Sequence, residues 1–170
     1  MTKIKNSLGS KMFGFKKVSV SKTIKLVLTG YFLYLGINFI ITVIVLYTNI
    51  KIPGFEISQR ILPLFGKDIL SLSLAGILIL IVDPVLEEIL FRGFILKNLV
   101  NKTGVVLGSI LAALIFAGLH SQSESFGKIF ILGLILNALV IKEKSIYPAI
   151  ALHIFNNLII FILEIIILKS

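Results

Sequence analysis

The chain has 170 residues, of which 57% are hydrophobic and 15% charged, with a mean hydropathy of +1.06, a net charge of +9 and no cysteine. Soluble domains carry nearer ~25% charged residues, so the composition excludes a soluble enzyme and a disordered chain, and the long uncharged runs point the basic charge toward a membrane rather than nucleic acid. Without cysteine there is no disulfide scaffold, thiol nucleophile or cysteine-held zinc or iron–sulfur cluster.

In chain order, seven lysines (Lys3, Lys5, Lys11, Lys16, Lys17, Lys22 and Lys25) precede an uncharged stretch of 25 residues, 26–50. As a helix that stretch crosses a hydrocarbon layer of ~30 Å. It starts too late and runs too long for a cleaved signal peptide. Pro53-Gly54 and Pro63 mark the following loop. Residues 69–82 are apolar and run into Asp83-Pro84, a pair expected to start or kink a helix. Residues 85–100 are mostly apolar but hold Glu87, Glu88 and Arg92; residues 105–123 carry no formal charge and end near His120. A short run, 129–141, lies between Lys128 and Lys142, and 145–163 is uncharged apart from His153. The expectation is an all-α polytopic membrane protein of about five transmembrane helices with a bent or broken core. Residues 1–68 form a basic N-terminus, first helix and loop; residues 69–170 form the core that holds the polar residues of interest.

Lysine placement sets the expected orientation. With the N-terminus in the cytoplasm, that side carries 11 positive residues, adding Lys97, Lys102, Lys142 and Lys144, and the other side carries five: Lys51, Arg60, Lys67, Lys128 and Lys169. The basic N-terminus reads as a topology anchor beside membrane lipid. The Ile-, Lys- and Asn-rich composition points to a low-GC bacterium and its cell membrane. Oligomeric state is not set by the sequence.

A charge inside a membrane helix costs ~2.5–3.5 kcal/mol on insertion scales, so Glu87, Glu88 and Arg92 ask for an explanation. On a helix, Glu88 and Arg92 are i and i+4 and share a face in the favourable Glu-first order. Glu87 lies about 100° round the helix, with Phe91 as its i+4 neighbour. Glu88 therefore has a built-in partner, whereas Glu87 is left for chemistry and suits a general base that takes a proton from water. The bland alternative is a structural ion cluster that staples helices together. His120 ends Phe116-Ala117-Gly118-Leu119-His120, and His153 and Asn157 share one face of the last helix. Two His, two Glu, one Arg and one Asn on three helices read as one internal polar site.

Two schemes fit these residues. In one, Glu87 activates water, His153 and Asn157 donate hydrogen bonds to the oxyanion, and His120 holds the water or shuttles a proton. In the other, Glu87, His120 and His153 bind a metal, zinc for instance, with an open position for water. No His-Glu-x-x-His and no Gly-x-Ser-x-Gly occurs, and Ser109, Ser121, Asn137, Asn156 and Glu164 read as structural or interfacial. Straight helices with level ends keep His120 too far from Glu87 and His153 to meet, so a shared site requires bent or broken helices.

Glu87-Glu88-Ile89-Leu90-Phe91-Arg92-Gly93 matches EExxxR, 116–120 matches FxxxH, and 153–157 matches HxxxN. In this order the three motifs resemble the CPBP family of membrane-embedded proteases, the Rce1-like CAAX prenyl protease 2 and bacteriocin-processing (Abi) family, over about residues 72–168. The resemblance implies an intramembrane endopeptidase acting on a membrane-associated protein or peptide, by CAAX-type processing or in bacteriocin maturation or self-immunity. It implies Glu87 as the catalytic glutamate, supported by Glu88 and Arg92, with His120 positioning water and His153 and Asn157 stabilising the oxyanion. A glutamate-dependent reaction requires no cofactor, although the family was first described as metalloproteases. Two competing readings are a protease-like immunity or scaffold protein that binds a peptide without cutting it, and a small transporter that relays protons through the carboxylates.

Overall fold

Five helices account for the apolar runs in the computed structural model, whose described residues are 14–48, 50, 52–55, 65–66, 68–120 and 125–169. They are α1 (Val20–Thr48), α2 (Ile69–Thr103), α3 (Val105–Leu119), α4 (Phe126–Glu143) and α5 (Tyr147–Lys169). There is no β-strand among the described residues, only an isolated bridge between Gly14 and Ser145. By length and composition, α1, α2 and α5 can each cross a membrane. With 15 residues, α3 spans ~22 Å at 1.5 Å per residue. The architecture is that of an all-α polytopic membrane protein. Lys3, Lys5, Lys11, Lys51, Arg60, Pro63, Lys67 and Ser121 lie outside the described residues.

Asp83-Pro84 does not start the long helix, and the irregularity expected there takes the form of π turns beside the proline. The helix begins earlier, at Ile69, where the Asp68 side chain accepts from the backbone N–H of Leu70 and Ser71. These bonds and the Ser71 hydroxyl hold the Asp68 carboxyl below the ordinary carboxylate range, the hydroxyl contributing most. From there α2 runs unbroken for 35 residues. It absorbs the proline by widening into π turns at Leu78–Val82, and widens again at Ile89–Leu96. The irregular core is therefore an over-wide helix, not a broken one. The run 129–141 grows to Phe126–Glu143, because Lys128 and Lys142 extend its ends instead of terminating them.

Gly104 adopts φ 88°, which a side chain would strain, and turns α2 back into α3 as a tight hairpin. The arms touch at Gly108, where a Cβ would lie 2.6 Å from the Val100 nitrogen. A Cβ at Gly133 would press on Ala113 at 3.2 Å and on the Phe116 ring at 3.3 Å, so glycine lets α4 lie close to α3. Leu96, Ala112, Leu136, Val140 and Leu152 form the centre of the core. The first helix closes one side: Gly30 abuts Leu152 on α5, and the Tyr31 and Phe155 rings meet edge to face at 5.0 Å.

The bundle has two distinct ends. At one, Lys22 pairs with Glu143, and the Ser145 hydroxyl donates to the Lys16 carbonyl at 2.6 Å. At the other, the Gly127 N–H donates to the Gly54 carbonyl at 2.9 Å, which ties the loop after α1 to the start of α4.

Candidate active site

The second π stretch of α2 carries Arg92, fully buried and with a partner at each of its three nitrogens. One terminal nitrogen donates to Glu88 Oε1 at 2.7 Å, and the other donates to the Gly133 carbonyl at 3.4 Å. Its Nε donates to Asn137 Oδ1 at 3.2 Å, and the guanidinium carbon lies 4.3 Å from the Phe116 ring centroid. Asn137 is in turn fixed, because its amide donates to the Ser109 carbonyl at 3.0 Å. The i, i+4 pairing of Glu88 with Arg92 is thus as the sequence reading had it. Asn137, which the sequence marks as structural or interfacial, is structural in a specific way: it accepts from the third nitrogen of the guanidinium. The available signal was a carboxamide in the middle of an apolar run, where a polar group needs a partner.

Glu88 Oε1 also lies 2.9 Å from His153 Nδ1. A carboxylate oxygen only accepts, so Nδ1 carries the proton and Nε2 faces away from Glu88. The same logic fixes His120, whose Nδ1 is 2.8 Å from the Phe116 carbonyl. Both rings therefore turn Nε2 toward the same point. Glu87 Oε2 stands 3.7 Å from each Nε2. That spacing is too long for direct hydrogen bonds and is the spacing a bridging water fills. Glu88 is fully buried, whereas the Glu87 side chain is 31% exposed, so of two adjacent carboxylates one is locked and one faces open space.

Asn157 is oriented by the proline. In the first π stretch the Asp83 N–H reaches back five residues to the Leu78 carbonyl. In that register the next nitrogen would serve the Ile79 carbonyl, but it belongs to Pro84 and has no hydrogen. The Asn157 amide donates to the Ile79 carbonyl instead, at 3.0 Å. One of its two N–H groups is used in this way, while the residue lines the cavity.

All six residues singled out from sequence therefore come together. Glu87 and His120 lie at nearly equal chain distance on either side of the Gly104 turn, so the antiparallel hairpin brings them level. The long Glu88 and Arg92 side chains bridge to α4 and α5. Straight helices with level ends were the wrong geometry. Glu87, His120, His153 and Asn157 line a cavity of about 310 Å³ whose other walls are largely apolar, with Ile79, Leu132 and Phe161 among them. Asn156 and Glu164, read as structural or interfacial, also face it. Among the described residues no group of three or more His, Asp and Glu side chains is arranged to hold a metal ion.

The family model described as type II CAAX prenyl endopeptidase Rce1-like matches residues 69–159. That span holds all six residues and Asn137, and omits α1. No curated protein and no solved structure matches the chain.

Proposed function

The chain belongs to the Rce1-like family of type II CAAX prenyl endopeptidases, a family of intramembrane proteases, and we propose from that premise that it hydrolyses a peptide bond with a water activated by Glu87. The observation that carries this reading is the meeting of Glu87 Oε2 with two imidazole Nε2 atoms, each at 3.7 Å, inside a cavity.

In the proposed reaction the water sits between Glu87 and the two imidazoles and gives its proton to Glu87 Oε2 as its oxygen attacks the carbonyl carbon. The tetrahedral oxyanion accepts a hydrogen bond from the second Asn157 N–H, while His153, whose Nδ1–H is committed to Glu88, offers Nε2 as an acceptor to the attacking water. Glu87 then passes the proton to the leaving nitrogen as the C–N bond breaks, which leaves a carboxyl end and an amine end. His120 positions the water. Glu88, Arg92 and Asn137 do not touch the substrate. They hold His153 in place and set its tautomer, as a carboxylate behind a histidine does at other reaction centres. The chemistry runs without a metal, and full activity in the presence of a chelator is its corollary.

The substrate is a membrane-associated protein or peptide whose apolar segment enters the cavity. A CAAX-type terminus and a bacteriocin precursor both satisfy that description. The proposed setting is a bacterial cell membrane, crossed several times, with the N-terminus in the cytoplasm. Cleavage of a hydrophobic reporter peptide by purified protein in detergent tests the reading. Wild type should cut, and Glu87→Ala and His153→Ala should each lose the activity. Undiminished cleavage by both variants would overturn it.

A further inference from the structure

The cavity has a direction. Its deepest polar wall is His153, and the same helix carries Glu164 on its wall 11 residues further on, ~16 Å along α5. Phe65, just before α2, and Ser125 and Lys128, at the start of α4, also line it. All of these belong to the end of the bundle where Gly127 bonds Gly54. None of the lining residues comes from the opposite end, where Lys22 meets Glu143 and Ser145 meets Lys16.

The two ends differ in charge. Among the described residues, chain alternation puts Lys16, Lys17, Lys22, Lys25, Lys97, Lys102, Lys142 and Lys144 at the closed end, and Lys128 and Lys169 at the end where the cavity opens. Basic residues close to membrane helices stay in the cytoplasm. We infer that the cavity opens on the non-cytoplasmic face, and that its substrate is a peptide presented from that side, an exported or secreted chain with an apolar segment, rather than the terminus of a cytoplasmic protein. The substrate class rests on the hydrolytic reading above; the direction of the mouth does not.

The absence of native cysteine makes the test direct, since one introduced thiol reports one position. Single variants Phe65→Cys and Lys128→Cys mark the mouth, and Lys17→Cys and Lys102→Cys mark the closed end. Each is expressed in bacterial cells and treated with a membrane-impermeant maleimide before and after permeabilisation, with labelling in detergent as the total. Two sites at each end keep the result readable if one variant folds poorly. The mouth variants should label in intact cells and the closed-end variants only after permeabilisation; the reverse pattern overturns the inference. In a second arm the same hydrophobic reporter peptide is fused to a membrane anchor and displayed on either face of cells carrying the unmodified protein. Cleavage only of the outward display is expected. Cleavage only of the cytoplasmic display overturns the substrate class. Cleavage of neither, with labelling as expected, counts against the hydrolytic reading and leaves the direction of the mouth standing.

Discussion

Replacing Pro84 by alanine should make the protein more stable and less active at once. The new N–H at position 84 falls in the register that already joins Asp83 to Leu78, and it takes the Ile79 carbonyl now serving Asn157. Asn157 then loses the bond that aims it. A net hydrogen bond is worth about 0.5–1.5 kcal/mol, which corresponds to a roughly 2- to 13-fold fall in kcat if the whole of it is expressed at the transition state. Stability moves the other way. Proline in a helix interior costs about 3 kcal/mol relative to alanine, and the gain on substitution falls short of that because the carbonyl is already satisfied. The assay pairs a thermal melt in detergent with steady-state cleavage of a reporter peptide. The same substitution placed on Asn157→Ala should have no further effect on kcat, since the group it disturbs is gone. An unchanged kcat in Pro84→Ala, or an equal loss in the Asn157→Ala background, would refute the link between the proline and the carboxamide.

Three further outcomes follow from the same geometry. Asn137→Leu leaves Arg92 Nε buried without an acceptor, at a cost of about 1.5–3 kcal/mol for a charged group; both Tm and kcat should fall, and Asn137→Asp, which keeps an acceptor, should recover more of each than Leu does. Glu88→Leu strands a fully buried guanidinium and should lower stability by about 3–5 kcal/mol, read from the melt of the purified protein; an unshifted melt would show that the pair is not structural. For Asp68, the lowered carboxyl makes its cap a contribution that is present above the unfolded value of about 3.9 and lost only as pH falls through the lower folded value. Amide exchange at Leu70 and Ser71 should therefore stay protected through the ordinary carboxylate range, and fraying already at that midpoint would contradict the cap.

Local periodicity carried much of the site in the sequence. The four-residue spacing of Glu88 and Arg92, and of His153 and Asn157, is a property of any helix, so their shared faces were legible without coordinates. The same reasoning left Glu87 without a partner on its own helix, and the structure sets it 3.7 Å from two histidines on other elements. What was illegible depends on tertiary register. The depth of His120 could not be counted from span ends, because the hairpin at Gly104, not the loop lysines, sets which residues of α2 and α3 are level. The particular job of Asn137 was illegible because its partners, Arg92 and the Ser109 carbonyl, lie 45 and 28 residues away in the chain. Asp83-Pro84 signals a helix start or a kink, because Asp can cap a helix and proline suits a first turn. Here a wider turn and a borrowed amide from α5 take up the missing hydrogen. These departures share one cause: a polar group that local rules leave unsatisfied found its partner on another helix.

The account's central claim is that one carboxylate moves the protons of amide hydrolysis. Glu87→Gln tests it most directly. The change removes the base, keeps the shape and breaks no hydrogen bond shorter than the 3.7 Å contacts to the two imidazoles. Cleavage of the reporter peptide by the purified variant should fall by at least about a hundredfold, the lower end of what a positioned general base contributes, with an unshifted thermal melt and no recovery on adding divalent metal. Cleavage at the wild-type rate by a folded Glu87→Gln protein would contradict the account.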